Sequence, residues 1–155
     1  MNWADYFMGF ADQAALKSKD TTKVGCAIFG PDKEPRMTGY NGLPPGVEEK
    51  PERLERPEKY FWTSHAEENA VAMAALIGVS LKGCTAYVTH APCARCARSL
   101  IRAGIVELVI GPGLTSMDPH EFAVARTMLA EAGVTVTEHR ATDVETQEVA
   151  DAEMA

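Results

Sequence analysis

The sequence lacks long apolar runs, an amino-terminal leader and a large set of cysteines. No stretch approaches the roughly 18 apolar residues that a membrane-spanning helix requires, so we expect no membrane span. No basic segment followed by an apolar one stands at the beginning, so we expect no secretory signal. The four cysteines, in a chain without a leader, are expected to be reduced thiols in the cytoplasm rather than disulfides.

Positive charge is also scarce. The chain has 15 lysines and arginines against 22 aspartates and glutamates, which gives a formal net charge of −7. Polynucleotide backbones attract basic surfaces, so this acidity disfavours DNA or tRNA as a ligand. A single nucleotide is not excluded, because it needs only a local basic pocket. The 155 residues are 46% apolar and 24% charged, which is typical of one soluble globular domain.

Two short segments carry residue types that bind zinc. The first contains His65 and Glu67, and the second begins at Pro92 and contains Cys93 and Cys96. Two thiolates and a neutral imidazole supply three ligands to Zn²⁺ and leave the fourth tetrahedral position for water, as in catalytic sites. Zinc lowers the pKa of such a water toward about 7. Glu67, a nearby carboxylate that is not a ligand, could then carry protons.

A closed structural zinc site is the alternative interpretation of these ligands, and a C-x-x-C pair alone also occurs in redox motifs. Structural zinc takes four protein ligands, and only Cys26 and Cys84 are further candidates by residue type. Both lie in apolar runs that predict strands, where cysteine is usually a small core residue. We therefore favour the open, catalytic site.

Strands and helices alternate along the chain after an initial hairpin. The predicted strands cover residues 24–29, 36–40, 84–89, 106–110 and 134–136. The predicted helices cover residues 2–18, 65–77, 93–103 and 119–132. This order indicates a mixed sheet covered by helices on both faces. Both zinc-binding segments begin a helix after a strand or extended segment, which places them at one end of the sheet.

Two regions outside this pattern need their own interpretation. The loop 43–58 is rich in proline, glycine and charge, and long loops of this kind are usually functional or disordered. Residues 141–155 are acidic without a strong period, which predicts a frayed tail. We therefore expect one domain over residues 1–140, followed by this tail.

On two of the predicted helices, a row of residues is interpreted as having a structural role. In the first helix, which Asn2 is expected to cap, the core-facing residues are predicted to be Trp3, Phe7, Phe10 and Ala14. In the helix 93–103 a row of positive charge is formed by Arg95, Arg98 and Arg102. Rows of charge usually face solvent, so we interpret the arginines as a solvated or subunit face rather than as a nucleotide contact.

The sequence resembles a known family, the cytidine deaminase-like zinc enzymes, and within it the deoxycytidylate (dCMP) deaminases. The pattern H-x-E followed by P-C-x-x-C is a signature of zinc deaminases that act on nucleobases. The narrower resemblance rests on Ser18-Lys19-Asp20, Lys23-Val24-Gly25, Gly39-Tyr40-Asn41-Gly42 and Lys59-Tyr60. It implies an α/β protein with the three-layer α/β/α cytidine deaminase-like fold and a five-stranded mixed sheet.

The resemblance also implies roles for single residues. His65, Cys93 and Cys96 would bind Zn²⁺, and Glu67 would be the catalytic proton carrier. The implied substrate contacts are Ser18 and Lys19 at the phosphate, Asn41 at the sugar, and the backbone of Ala66 and Cys93 at the base. Tyr60 and Ala91 are expected near the same base.

The implied reaction is the hydrolytic deamination of dCMP to dUMP and ammonia, a step of pyrimidine deoxynucleotide metabolism. A small Ala91 beside His90 would leave room for dCMP substituted at C5. The resemblance further implies dCTP and dTTP as effectors, for which Asn41 could also serve, and a homo-oligomer, often a hexamer. No polynucleotide and no membrane partner is expected.

Three alternatives stay open. A deaminase of tRNA or DNA bases shares the zinc motif but would be expected to carry a basic surface. A deaminase of another free nucleotide or of a purine base shares the motif without the nucleotide-type segments. A binding module that kept only the fold would be expected to lack Glu67 or a zinc ligand. The segment 111–120 departs from the family's usual sequence, which leaves substrate detail and regulation open.

Overall fold

A computed structural model describes residues 1–140, and the predicted tail 141–155 lies outside the described residues. The helices are α1 (Trp3–Ala15), α2 (Lys59–Trp62), α3 (Ala66–Ile77), α4 (Ala94–Ala103) and α5 (Pro119–Glu131), with a 3-10 turn at Pro51–Arg53. The strands are β1 (Gly25–Phe29), β2 (Pro35–Tyr40), β3 (Thr85–His90), β4 (Glu107–Gly113) and β5 (Thr135–Glu138). Within residues 1–140, none of the helices has the length and apolar character needed to span a bilayer.

The five strands form one mixed sheet in the order β2-β1-β3-β4-β5. The hairpin partners β1 and β2 are antiparallel, and β1 is also antiparallel to β3. The pairs β3–β4 and β4–β5 are parallel, and parallel neighbours need a crossover connection. Helices α4 and α5 supply these crossovers. The predicted mixed sheet with an initial hairpin is therefore confirmed.

Side chains of each strand point alternately to the two faces of the sheet, as the pleat requires. In β1, Phe29 and Ala27 pack with Phe7 of α1 on one face. Cys26 and Ile28 face the larger core on the other side, where α3, α4 and α5 pack. Fully buried members of this larger core include Val88, Leu100, Leu108 and Leu129. Helices thus cover both faces, with α1 on one of them and α3, α4 and α5 on the other.

The first helix begins as predicted, but the residues that it buries in the core differ from the predicted ones. The side chain of Asn2 accepts a hydrogen bond from the backbone N–H of Asp5 at 2.8 Å, so the predicted cap is confirmed. The prediction that Trp3 faces the core is wrong, since 55% of it is exposed. Its ring stacks on Phe7 in the first turn, with the Lys33 ammonium over it. The buried residues of α1 are Phe7, Met8, Ala11 and Ala15.

Gly39 allows α3 to lie directly on β2. A Cβ added at Gly39 would collide with the carbonyl oxygen of Ala66 and would lie 2.8 Å from the backbone nitrogen of Ala70. Gly25 plays the same part on the other face, where a Cβ would collide with the carbonyl oxygen of Ala11. Both glycines are therefore required by close backbone approach, and Gly39 sets the position of the helix that follows His65.

A buried ion pair ties the segment before β1 to α2. The Lys59 ammonium donates to both carboxylate oxygens of Asp20, at 3.0 and 3.1 Å. The side chains are only 8% and 9% exposed. Asp20 also accepts from the backbone N–H of Thr22 at 2.9 Å. This contact anchors the carboxyl-terminal end of the predicted long loop 43–58 against the sheet.

We predict that Gly39→Ala destabilises the protein, because the new methyl group meets backbone atoms of α3 that cannot rotate away. Overpacking of this kind typically costs about 1–3 kcal/mol in the free energy of unfolding, which urea denaturation measures. Gly9→Ala is the matched control, since nothing lies within 4 Å of the added Cβ. In the interior of α1 that change should stabilise by about 0.5–1 kcal/mol. Equal free energies of unfolding for the two variants would contradict the close approach.

We predict that Asp20→Asn costs about 3–5 kcal/mol at neutral pH, because Lys59 is left as a buried, unpaired charge. Burial raises the pKa of Asp20, but the hydrogen bond from Thr22 and the Lys59 ammonium outweigh it and hold the pKa below its ordinary value. Stability from a lowered carboxyl pKa is complete above the unfolded-state pKa of about 3.9. It is lost as the pH falls through the lower folded-state pKa.

Unfolding of the native protein should therefore depend on pH below about 4 more steeply than unfolding of Asp20→Asn. Lys19→Ala is the control, because the Lys19–Glu49 pair is 66% and 48% exposed. Exposed pairs contribute only about 0–1 kcal/mol. Parallel pH curves for the native protein and Asp20→Asn, or losses of the same size in Asp20→Asn and Lys19→Ala, would refute this assignment.

Candidate active site

Three candidate metal ligands lie at the beginnings of two helices. His65 precedes the first residue of α3 and Cys93 precedes the first residue of α4, both with extended backbone. Cys96 lies in the first turn of α4. Pro92 stands directly before the Cys93 cap, and the helix predicted over residues 93–103 begins one residue later, at Ala94. The Glu68 carboxylate accepts from the backbone N–H of His65 at 3.1 Å, which ends the extended segment and starts α3.

The side chains of these three residues converge. The Nδ1 atom of His65 lies 3.3 Å from Sγ of Cys96 and 3.4 Å from Sγ of Cys93. All three donor atoms lie within 4.8 Å of one another. Two sulfurs and one imidazole nitrogen form the donor set of open zinc sites. The residues present therefore fit a zinc ion with three protein ligands.

The protonation of the three ligands also fits a cation. Hydrogen bonds from Cys96 and His65 lower the pKa of Cys93 to about 3, although burial opposes this. The hydrogen bond to Cys93 and burial raise the pKa of Cys96. The hydrogen bond with Cys93 also raises the pKa of His65. The three side chains thus share protons through their mutual hydrogen bonds, and a divalent cation can replace those protons.

Glu67 lies one residue inside α3 and lines the same cavity as His65 and Cys93. Its side chain is almost completely buried, at 3% exposed. Burial raises the pKa of Glu67, which moves a carboxyl group toward the pH range where it both accepts and donates protons. The carboxylate is not among the converging donor atoms. It therefore lies beside the converging donor atoms rather than among them, and its role as a proton carrier stays a prediction.

The cavity in front of these groups has a volume of about 360 Å³, within the range of about 300–1,000 Å³ that is usual for small-molecule sites. Its walls come from the segment before β1, the loop and α2, the start of α4, and the segment after β4. Besides His65, Glu67 and Cys93, the lining includes Asp20, Thr22, Val24, Asn41, Arg56, Lys59, Tyr60, Thr63, His90, Ala91, Ala94, Arg95, Arg98, Thr115, Ser116, Met117 and Glu121.

Four of the predicted substrate contacts line this cavity: Asn41, Tyr60, Ala91 and Cys93. His90, which precedes Ala91, lies there as well and shares a 2.7 Å hydrogen bond with the Thr89 hydroxyl. The small Ala91 was expected to leave space for a substituent at C5 of the base, and this acceptance stays a prediction. Ala66 is fully buried in the core and is not among the lining residues.

Ser18 and Lys19 do not line the cavity, so the structure does not support their predicted contact with a phosphate. Ser18 is only 2% exposed, and its hydroxyl donates to the carbonyl oxygen of Asn41 at 2.8 Å. The Lys19 ammonium lies 2.6 Å from the Glu49 carboxylate. The segment acts instead by positioning Asn41 and by supplying Asp20, the partner of Lys59.

The Asn41 side chain joins the two ends of the hairpin. Its Oδ1 accepts from the backbone N–H of Val24 at 3.0 Å, and its Nδ2 donates to the carbonyl oxygen of Thr22 at 2.9 Å. An amide side chain has two donor hydrogens and two acceptor lone pairs, so half of its hydrogen-bonding capacity remains for a ligand.

The row of arginines on α4 is divided by the structure. Arg95 and Arg98 line the cavity, whereas Arg102 does not. All three arginines are exposed, as the interpretation of a solvated face predicts, and Arg95 and Arg98 also line the cavity. Arg95 also donates to Glu68 across the two ligand-bearing helices at 3.0 Å.

Sequence reasoning missed the contribution of the segment after β4. The Glu121 carboxylate of α5 accepts from the backbone N–H of Ala94 at 2.9 Å and so caps the start of α4 beside the cysteines. Thr115, Ser116 and Met117 line the cavity from the same side. No local pattern marks these residues, because they meet α4 only through the packing of α5.

The other two cysteines are structural. Cys26 and Cys84 are fully buried in the larger core, where burial raises the pKa of both thiols. Neither belongs to the converging donors, and all four cysteines are free thiols. A closed site with four protein ligands therefore finds no support within residues 1–140, and reduced cysteines in the cytoplasm stay a prediction.

Comparisons with known proteins agree with this geometry. Residues 1–112 match the family described as the cytidine and deoxycytidylate deaminase zinc-binding region. An uncharacterized deaminase in the luxG 3′ region of Aliivibrio fischeri is 39% identical over 142 residues, which cover 87% of this chain and 92% of that protein. Human deoxycytidylate deaminase is 33% identical over 142 residues, which cover 87% of this chain and 78% of that protein.

The fold is also that of solved deaminases. The dCMP deaminase from the cyanophage S-TIM5, crystallised in complex with dCMP and dUMP, superposes with a TM-score of 0.71 at 24% identity. The superposition covers 87% of this chain and 95% of that one. The predicted cytidine deaminase-like α/β/α fold is thereby confirmed. With the family match over most of the chain and human deoxycytidylate deaminase at 33% identity, the chain belongs to the zinc-binding family of cytidine and deoxycytidylate deaminases.

Proposed function

We propose that this protein is a dCMP deaminase, which hydrolyses the amino group from C4 of cytosine and converts dCMP and water into dUMP and ammonia. The observation that carries the proposal is the convergence of His65, Cys93 and Cys96 within 4.8 Å, with the buried Glu67 lining the same cavity. Relatives named deoxycytidylate deaminase and a fold neighbour crystallised with dCMP and dUMP support this substrate.

His65, Cys93 and Cys96 would hold the zinc ion of the family. When bound there, zinc supplies a Lewis acid and lowers the pKa of a coordinated water. The beginnings of α3 and α4 keep the three side chains together, since Glu68 fixes the backbone of His65 and Glu121 fixes that of Ala94. The ligand geometry therefore depends on the two helix starts and not on flexible loops.

Glu67 moves the protons in this reaction. It accepts a proton from the attacking water, protonates N3 of the base, and delivers a proton to the departing amino group at C4. A pKa raised by burial suits this double role, because a general acid–base group works best when its pKa lies near the operating pH. Asn41, Tyr60 and Ala91 form walls of the cavity in which the nucleotide would lie.

A free nucleotide is a better match than a polynucleotide. The net charge is −7, whereas polynucleotide binding depends on an extended basic surface. The cavity of about 360 Å³ suits one small molecule. Activation by dCTP, inhibition by dTTP and a homo-oligomeric assembly are parts of the proposal that rest on the resemblance alone. A cytoplasmic location is a further part, and it rests on the cysteines and on the expected lack of a secretory signal.

The direct test is the release of ammonia by the purified, zinc-loaded protein from dCMP, deoxycytidine, dAMP and guanine. We expect dUMP and ammonia in equal amounts from dCMP, and much slower release from the other three compounds. If guanine or dAMP were deaminated rapidly and dCMP were not deaminated, the protein would be a purine deaminase and this proposal would be wrong.

We predict that Cys93→Ser and Cys96→Ser abolish zinc binding, because each removes one of only three ligands and metal affinity is coupled to the folding of its site. Elemental analysis of the native protein should give one zinc per chain. Cys84→Ala serves as control, since this buried cysteine lies outside the donor group, and it should retain zinc. A full zinc content in both serine variants would disprove the ligand assignment.

We predict that Glu67→Gln keeps zinc and nucleotide binding but lowers kcat by about 10²–10⁴-fold or more, because an amide of the same shape cannot carry protons. Glu68→Gln is a matched control on the neighbouring position. Its amide oxygen still accepts from the backbone N–H of His65, so kcat should change only a few-fold. Near-native turnover in Glu67→Gln would mean that another group carries the protons.

A further inference from the structure

The loop 43–58 is closed at its base but has little regular structure of its own. An isolated bridge joins Gly42 to Ser64, with backbone hydrogen bonds of 3.1 and 3.0 Å between the two residues. Backbone hydrogen bonds inside the loop are local, such as the one from Leu54 to Pro51 at 3.1 Å. Side chains must therefore hold the body of the loop against the rest of the domain.

One such contact joins the loop to α2. The Arg53 guanidinium, at the end of the 3-10 turn, lies 3.9 Å from the centre of the Trp62 ring. Tryptophan is the best aromatic partner for a cation, and arginine can also stack its planar group on the ring. Arg53 donates to the carbonyl oxygen of Glu48 at 2.8 Å, and Nε1 of Trp62 donates to the Glu58 carboxylate at 2.9 Å. Each partner of this stack, the Arg53–Trp62 clasp, is thus fixed by a second contact.

The clasp closes a short ring of chain beside the cavity. The segment 54–61 lies between the two partners and contains three residues of the cavity wall, Arg56, Lys59 and Tyr60. Arg53 and Trp62 are not among the lining residues. They can therefore act on a ligand only through the residues that lie between them.

The segment depends on outside contacts for its shape, because α2 is only four residues long and a helix of that length is not stable by itself in water. Lys59 is held separately by Asp20. Tyr60 is 56% exposed, so burial does not fix its position. Joining the two ends of a short ring limits the conformations of the residues inside it.

We propose that Arg53 and Trp62 are positioning residues of the active site, whose stacking holds Arg56 and Tyr60 in place on the wall against which the nucleotide binds. The inference rests on the proposed function and adds to it the contact that shapes this wall. A wall that is already ordered binds its ligand without the entropic cost of ordering it. The proton transfers depend on Glu67 of α3, so the clasp acts on KM and not on kcat.

The first test measures kcat and KM for dCMP in the native protein, Arg53→Ala, Arg53→Lys and Lys33→Ala, with thermal unfolding and zinc content recorded for each. Arg53→Ala should raise KM about 3- to 10-fold, as expected for the loss of one cation–π contact. Its kcat should stay within about two-fold of the native value. Arg53→Lys should give an intermediate KM, because an ammonium keeps the charge but loses the planar stack.

Lys33→Ala is the matched control. The Lys33 ammonium lies 4.5 Å from the centre of the Trp3 ring on α1, and neither residue lines the cavity. Its loss should leave KM unchanged. If the clasp only stabilised the fold, Arg53→Ala would unfold at a lower temperature with the native KM, and the inference would be overturned. A KM raised equally in Lys33→Ala and Arg53→Ala would overturn it as well.

A double-mutant cycle tests whether the two residues act through each other. Trp62→Leu keeps an apolar side chain but removes the aromatic face, so it should raise KM about as much as Arg53→Ala. The double variant should then be no worse than either single variant, because both remove the same contact. Effects that multiply would show that Arg53 and Trp62 act separately, which contradicts the clasp.

Proteolysis separates this inference from the proposed function, since it requires no turnover. A glutamate-specific protease has several sites in the loop, and Arg53→Ala neither creates nor removes one; the sites are Glu48, Glu49, Glu52, Glu55 and Glu58. Cleavage there should be at least about 3-fold faster in Arg53→Ala than in the native protein and Lys33→Ala.

Faster cleavage in Arg53→Ala would support the hold of the clasp on this wall even if dCMP were not deaminated by the native protein. Equal cleavage and an unchanged KM, together with normal deamination of dCMP, would leave the proposed function standing and remove the clasp from it. Faster cleavage with an unchanged KM would also overturn the inference, because the clasp would then hold the loop without affecting the ligand.

Discussion

The active site depends on how closely α3 approaches β2. Gly39 is the place where the two backbones come nearest, and even one methyl group there would strike the carbonyl oxygen of Ala66. Ala66 is the residue between His65 and Glu67. A shift of α3 away from the sheet would therefore displace His65 and Glu67 together. The glycine of the Gly-Tyr-Asn-Gly segment thus acts on the chemistry through the position of a helix, without touching the cavity.

The parts that sequence reasoning found are those encoded by short-range spacing. Cys93 and Cys96 share one face of the first turn of α4, and His65 and Glu67 flank the beginning of α3, so their chemistry is visible within a few residues. The strands are also encoded by local spacing. In β1, Cys26 and Ile28 face the larger core, whereas their neighbours face the smaller core on the other side of the sheet. The mixed character of the sheet followed from the initial hairpin and from the helices placed between the later strands.

The parts it missed depend on tertiary packing. The polar segment before β1 suggested a phosphate contact at Lys19, yet the structure directs Lys19 to Glu49 and uses Asp20 to hold Lys59. The arginine row of α4 looked uniform in sequence, but the wall opposite it makes Arg98 part of a cavity and leaves Arg102 outside. Glu121 could not be linked to Ala94 before the docking of α5 was known. Each of these depends on a partner distant in the chain.

The bond between Glu121 and Ala94 has a consequence for the order of assembly during synthesis. The cysteines at the start of α4 leave the ribosome well before the carboxylate that caps their helix. Until α5 has been made and has crossed back over α4, the backbone N–H of Ala94 lacks its partner and the turn that holds Cys93 is incomplete. The turn that holds Cys93 and Cys96 can therefore be completed only after α5 has been synthesised, although His65, Cys93 and Cys96 all precede α5 in the chain.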